Sequence, residues 1–172
     1  MAGIIWIGFL YFFNLVNTPS MKVIDASARP AVVTTLLPRA LAWFRHAAWV
    51  TVLVGFVLIY RRYWQFGHFI DTDSAKTIFS GMILGLIMLA NVWGIIWPNQ
   101  KKIIAATTKA EKPNPQWGKN ALRASRTNFI LSFPMLLFMS SSSHFPLGWG
   151  HIVIYGGIAA AVAAVLVLRV QK

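Results

Sequence analysis

Apolar residues in this chain come in long unbroken runs, not at the spacing of a half-buried surface helix or strand. A hydrocarbon core asks for about 20 such residues in helical form, because a backbone group left unpaired in lipid costs several kcal/mol. Five runs meet or approach that requirement, at about residues 3–18, 41–60, 77–98, 127–143 and 149–168. The first is short and meets Asn17 and Pro19, the second stops at Arg61 and Arg62, and the third is uncharged until Pro98, followed by Asn99, Gln100 and Lys101. Pro134 inside the fourth run removes a backbone hydrogen bond and predicts a kink there. The pattern as a whole predicts an all-α fold, a polytopic membrane helix bundle that makes one domain of residues 1–172.

The segments between the runs set an orientation. The first carries Lys22, Arg29, Arg39 and Arg45 with its flank, and the third, residues 99–126, carries Lys101, Lys102, Lys109, Lys112, Lys119, Arg123 and Arg126. The C-terminus adds Arg169 and Lys172. The second segment has only Arg61, Arg62 and Lys76, offset by Asp71 and Asp73, and the fourth has no Lys or Arg. Cytoplasmic loops are enriched in Lys and Arg. The expected topology therefore has the N-terminus outside, the C-terminus inside, and residues 99–126 as a basic cytoplasmic loop.

The first run starts almost at Met1 with no basic leader. It is read either as a tilted helix or as a span whose natural start lies further upstream, and a cleaved signal peptide is not expected. Composition then narrows the class. Hydrophobic residues make up 57% of the chain and charged ones 12%, against about 25% charged in a soluble domain. Sixteen Lys plus Arg against four Asp plus Glu would suit nucleic acid or anionic lipid. Because the cations sit in the gaps between apolar runs, the lipid bilayer is the expected partner and nucleic acid is not. The absence of Cys excludes disulfides, Fe–S clusters and covalently attached c-type haem from this chain.

Candidate chemistry is sparse. Gly81 and Gly85, and Gly156, Ala160 and Ala164, form small-residue stripes of the kind that let helices approach closely. Asn14, Asn17, Asn91 and Asn128 lie within or at the edge of spans, and such residues usually bond across helices. No carboxylate lies inside a span, so a carboxylate-based proton pump is not expected, and no metal site is read from the sequence. His68, His144 and His151 fall near the outer surface and His46 near the opposite one. His144 and His151 flank the charge-free fourth turn, so with His68 they are candidates to share a b-type haem or a quinone headgroup, or else they are interfacial residues satisfied by water and backbone. At the basic side, Asn99, Gln100, Lys101 and Lys102, with Arg126 and Asn128, are candidates for an anion or lipid-headgroup site.

Nucleotide-binding glycine loops, zinc-protease motifs and serine-hydrolase elbows are missing. Three stretches instead resemble one family: Trp6 to Asn14, Asn91 to Lys102 with its Trp-Pro-Asn-Gln-Lys core, and Arg123 to Asn128 leading to His144. They are similar to the N-terminal membrane domain of the bacterial membrane-bound urate hydroxylases, over most of the chain up to about Phe145. The resemblance implies a helical domain in the bacterial inner membrane which, in full-length relatives, oxidises urate to 5-hydroxyisourate and passes electrons to a fused cytochrome c domain. Relatives are longer and carry a Cys-x-x-Cys-His haem site and a histidine just before the first motif; this chain has neither. The expectation is a multi-pass subunit, apparently truncated, redox-associated and working with a separate cytochrome or other membrane subunits. It is not expected to turn over urate by itself. A non-catalytic subunit that stabilises a membrane complex is the alternative. Asn99, Gln100, Lys101, Arg126, Asn128 and His144 are the motif members that carry over.

Overall fold

A computed structural model describes residues 1–67 and 71–171. The described residues form an all-α bundle of long helices: α1 (Ala2–Val23), α2 (Arg29–Arg62), α3 (Asp73–Thr108), α4 (Pro115–His144) and α5 (Trp149–Val170). A short 3₁₀ turn at Trp64–Phe66 follows α2. Helices α1, α2, α3 and α5 are long and apolar enough to cross a membrane. Helix α4 is as long, but Lys119, Arg123 and Arg126 crowd its first half and Ser140 to Ser143 its end.

The helices outrun the apolar stretches that announce them. Segment 99–126, expected as a loop, is mostly helix: α3 continues to Thr108, α4 begins at Pro115, and residues 109–114 make the turn. Asn114 caps α4 by accepting from the Gln116 N–H at 2.9 Å, and Pro115 suits the first helical position because that N–H has no partner anyway. Helix α1 likewise passes through Asn17 and Pro19, where the sequence suggested an end.

Proline explains how. One wide π-type turn interrupts each of α1, α2 and α3, at Phe12–Asn17, Val32–Leu36 and Val92–Ile96, and each ends just before a proline: Pro19, Pro38 and Pro98. Proline offers no N–H and its ring collides with the carbonyl four residues back. A turn widened by one residue moves that carbonyl aside and lets the helix continue. Pro134, where the sequence predicts a kink, lies within the α-helical run of α4, which has no such wide turn.

Consecutive helices run antiparallel. Gly3 of α1 faces Thr51 of α2 while Phe13 meets Phe44, and Tyr63 at the end of α2 packs on Phe79 near the start of α3. Along α3 and α4 the register is steady: Ser74 Oγ donates to the Ser142 carbonyl, Gly81 faces Phe138 and Met139, Gly85 faces Met135, and Asn91 bonds Asn128. The glycine stripes are packing devices, as expected. A methyl group on Gly81 would stand 3.3 Å from two side-chain atoms, and one on Gly156 would stand 2.7 Å from Phe138 Cζ where α5 crosses α4. The main core joins Trp6, Leu10, Phe44, Met88 and Val92, and a smaller one joins Phe129, Ala163 and Val167. The outward face of α5, with Val153, Ile154, Ile158, Val162 and Val165, stays exposed, as a lipid-facing surface would be.

The turns that join α1 to α2 and α3 to α4 therefore share one end of the bundle with the C-terminus. Lys22, Arg29, Arg39, Lys101, Lys102, Lys109, Lys112, Lys119 and Arg123 are all at that end and all solvent-exposed.

Candidate functional site

Three polar layers and a large cavity mark this frame among the described residues. The cavity, of about 790 Å³, opens between α1, α2, α3 and α4 at the end away from the lysine-rich α3–α4 turn. Its walls are mostly apolar: Trp6 and Ile7 from α1, Thr51 and Gly55 from α2, Met82 and Gly85 from α3, Met135 and Met139 from α4. Small residues create it, since a methyl group built on Gly55 would meet no atom within 4 Å. Arg61, Arg62, Tyr63, Ser142 and Ser143 supply the polar groups of its rim. A large apolar hollow with a few polar groups at one end suits a lipophilic ligand.

The first polar layer closes the bundle above the cavity. The Tyr63 hydroxyl lies 2.6 Å from Ser74 Oγ, which donates to the Ser142 carbonyl at 2.7 Å. Thr77, fully buried, accepts from the Leu147 N–H at 2.9 Å and bonds the Asp73 carbonyl at 2.6 Å. These contacts fix the α4–α5 turn against the start of α3. His144 and His151 flank that turn and are exposed. His151 stacks on Tyr155, with centroids 5.8 Å apart, and lines a shallow hollow of about 550 Å³ with Leu137, Phe145 and Pro146. His68 lies outside the described residues. His46 packs on Trp93, and the rise from Thr77 to Trp93 along α3 is about 24 Å at about 1.5 Å per residue. His46 thus lies well away from His144 and His151, on the side of the bundle toward the basic end. Among the described residues no group of three or more His, Cys, Asp or Glu could hold a metal ion.

The second layer crosses mid-bundle. Asn128, fully buried, accepts from Asn91 Nδ2 at 2.8 Å and donates to the Met88 carbonyl at 2.9 Å. The Asn91 and Asn128 side chains thereby tie α3 to α4, the interhelical role that an asparagine in a span suggests.

A third layer, near the basic end, was not visible in the sequence as a unit. Asn14 Nδ2 donates to the Leu10 carbonyl and to Ser125 Oγ, each at 2.9 Å. Gln171 Nε2 donates to the Asn14 carbonyl at 3.0 Å and contacts Asn14 Oδ1 at 3.3 Å, while Arg126 Nε donates to Gln171 Oε1 and Lys22 Nζ to the Gln171 carbonyl. Three helices, α1, α4 and α5, meet in this network, and Asn14 and Gln171 are nearly inaccessible. Asn14 and Arg126 stand out in the sequence singly, but nothing there sets Gln171, two residues past Arg169, beside them.

The structure splits the expected anion-site set. Asn128 is spent on the α3–α4 clamp, Arg126 on Gln171, and Asn99 donates to the Ile95 carbonyl at 2.7 Å beside the wide turn of α3. Lys101 and Lys102 are exposed, and Lys102 Nζ stands 5.8 Å over the Trp117 ring. Trp117 and Arg126 are about 13 Å apart along α4 at about 1.5 Å per residue, so Lys102 and Arg126 occupy different levels. Gln100 is half-buried.

A family model described as urate oxidase N-terminal matches residues 64–171. The chain belongs to the urate oxidase N-terminal family. The matched stretch takes in α3, α4 and α5 with both the Asn91–Lys102 and Arg123–Asn128 motifs, and it extends past Phe145; the Trp6–Asn14 motif lies outside it. No curated protein and no solved structure matches the chain. For a urate oxidase N-terminal protein, the matched helices therefore supply two walls of the cavity and two of its polar layers.

Proposed function

We propose that this chain is a small integral membrane subunit with a redox-associated role, which lodges a lipophilic quinone-type headgroup between α1, α2, α3 and α4. It works with a separate cytochrome or inside a larger electron-transfer complex of the bacterial cytoplasmic membrane. The basic end faces the cytoplasm and the N-terminus the outside.

The observation that carries this reading is the 790 Å³ apolar cavity, with serine, tyrosine and arginine at its rim, half-walled by helices of the family match. A quinone ring needs an apolar slot and hydrogen-bond donors at one edge, which those residues offer. A histidine-ligated b-type haem fits less well, because none of the described histidines lines the cavity. Urate turnover is assigned to no residue of this chain. Solvent extraction of the purified subunit tests the reading. Near-stoichiometric quinone is expected, and Gly55→Leu, which fills open space in the wall, should reduce it. A preparation with neither bound quinone nor haem absorbance would remove the redox role.

A non-catalytic, complex-stabilising subunit is the second reading. It is favoured by the use of Asn14, Asn91, Asn128 and Gln171 in interhelical bonds, which leaves few intramembrane polar groups for chemistry. Recovery as a partnerless monomer in mild detergent would count against it.

A further inference from the structure

Arg45 stands where α2 passes the wide turn of α3, one residue after Phe44, which is buried against Phe13. Its guanidinium carbon lies 3.7 Å from the Trp97 ring centroid and 6.0 Å from that of Trp93. Nε donates to His46 Nε2 at 3.4 Å, and the His46 ring meets Trp93 edge-on at 6.1 Å. Arg45 Nη1 and the Trp93 indole N–H are both buried and have no acceptor among the described residues. Neighbouring side chains thus present two orphaned donors, one of them cationic.

No carboxylate is placed to answer them. Asp25 and Glu111 sit in turns, Asp71 and Asp73 at the far end of the bundle, and the described ion pair is Lys76–Asp73. Stacking on tryptophan offsets part of the desolvation of a guanidinium and leaves its edge unsatisfied. That edge is a planar fork matched to an oxyanion. The two donors are themselves covered. The nearby side chains that reach the surface are His46, Trp43, which is 63% exposed, and Trp49, which is 43% exposed and meets the Trp93 ring at 6.3 Å. They make an aromatic surround of the kind found at headgroup depth, so the side from which a ligand would enter is the bilayer.

We propose that Arg45 and Trp93 form a binding site for the phosphate oxyanion of an anionic phospholipid, with Trp97 as the platform under the guanidinium and His46 orienting it. The site is separate from the α1–α4 cavity and from the exposed lysines of the α3–α4 hairpin.

The test uses the intact chain in mild detergent, titrated with dioctanoyl-phosphatidylglycerol, dioctanoyl-phosphatidylcholine or inorganic phosphate, with thermal unfolding and tryptophan fluorescence as readouts. Wild type should bind the phosphatidylglycerol saturably and the phosphatidylcholine far more weakly. Arg45→Gln should weaken the phosphatidylglycerol by about ten- to a hundredfold, the scale of a hydrogen bond to a charged group. Trp93→Phe keeps the ring and removes only the N–H, so it should weaken binding about two- to tenfold; it decides the matter should Arg45→Gln not fold. Lys101→Gln should leave the saturable component unchanged. Competition by millimolar inorganic phosphate would make the free ion the ligand of the same site, and no competition assigns it to the lipid. Identical titrations of wild type, Arg45→Gln and Trp93→Phe, or equal affinity for the two lipids, would overturn the proposal.

Discussion

Removing the Asn128 side chain probes how much the mid-bundle clamp contributes. In Asn128→Ala two interhelical hydrogen bonds disappear, the 2.8 Å bond accepted from Asn91 and the 2.9 Å bond donated to the Met88 carbonyl. Interhelical bonds in lipid average about 0.6 kcal/mol and reach about 1.7, so the pair accounts for about 1–3 kcal/mol. The Met88 carbonyl also accepts the Val92 N–H, so it keeps a partner, and the larger penalty falls on the stranded Asn91 amide. Asn91→Ala loses one bond and should cost about 0.5–1.5 kcal/mol, and the double variant should fall short of the sum of the singles by about 0.6 kcal/mol. Reversible unfolding in mixed detergent micelles, followed by circular dichroism, measures all corners of the cycle. Strictly additive losses, or a stabilised Asn128→Ala, would refute the claim that these side chains hold α3 to α4.

Other perturbations follow from the same contacts. Gly156→Ala should cost about 1–3 kcal/mol by pressing a methyl group 2.7 Å from Phe138 Cζ, and Phe138→Leu in the same chain should recover part of that loss in the same unfolding assay. Thr77→Val should cost about 1–3 kcal/mol by stranding the buried Leu147 N–H, while Thr77→Ser should lie near wild type in the same melts. Gln171→Ala should loosen the C-terminal end of α5 and raise hydrogen exchange around Asn14 and Arg126, with no change near Thr77. Replacing Lys109, Lys112 and Lys119 by Gln should weaken the preference of the detergent-solubilised chain for phosphatidylserine over phosphatidylcholine, read as the ratio of the two lipids that co-purify, by about 1 kcal/mol per charge at the surface, an effect that disappears at high salt.

Much of the bundle was legible because lipid imposes a simple rule: uncharged runs long enough to span must be helical. The clearest apolar runs, 77–98 and 149–168, fall inside α3 and α5. What the pattern missed is where hydrocarbon ceases to be the constraint. Lys101 to Thr108 and Gln116 to Arg126 are polar enough to read as loop, yet they are helical, since α3 and α4 support one another through contacts such as Lys102 over Trp117. Proline misled in the same way, for Pro19 looked like a stop until the wide turn before it took up the missing bond. At the level of sites, asparagine in a span announced its interhelical role by rarity alone. Gln171 and Arg45 did not announce theirs, because one looked like tail and the other like a loop cation, and only the fold sets Gln171 against Asn14 and Arg45 against Trp97.

The account rests on a membrane bundle whose first and third turns and C-terminus share one face. The chain has no Cys, so single cysteines at Asp25, Lys112, Arg169, Gly67 and Gly148 can be probed without removing any. A membrane-impermeant maleimide added to sealed, right-side-out vesicles should label positions 67 and 148, and should reach 25, 112 and 169 only after the vesicles are opened. Labelling of position 112 from one face and position 169 from the other would contradict the fold's passage through the bilayer.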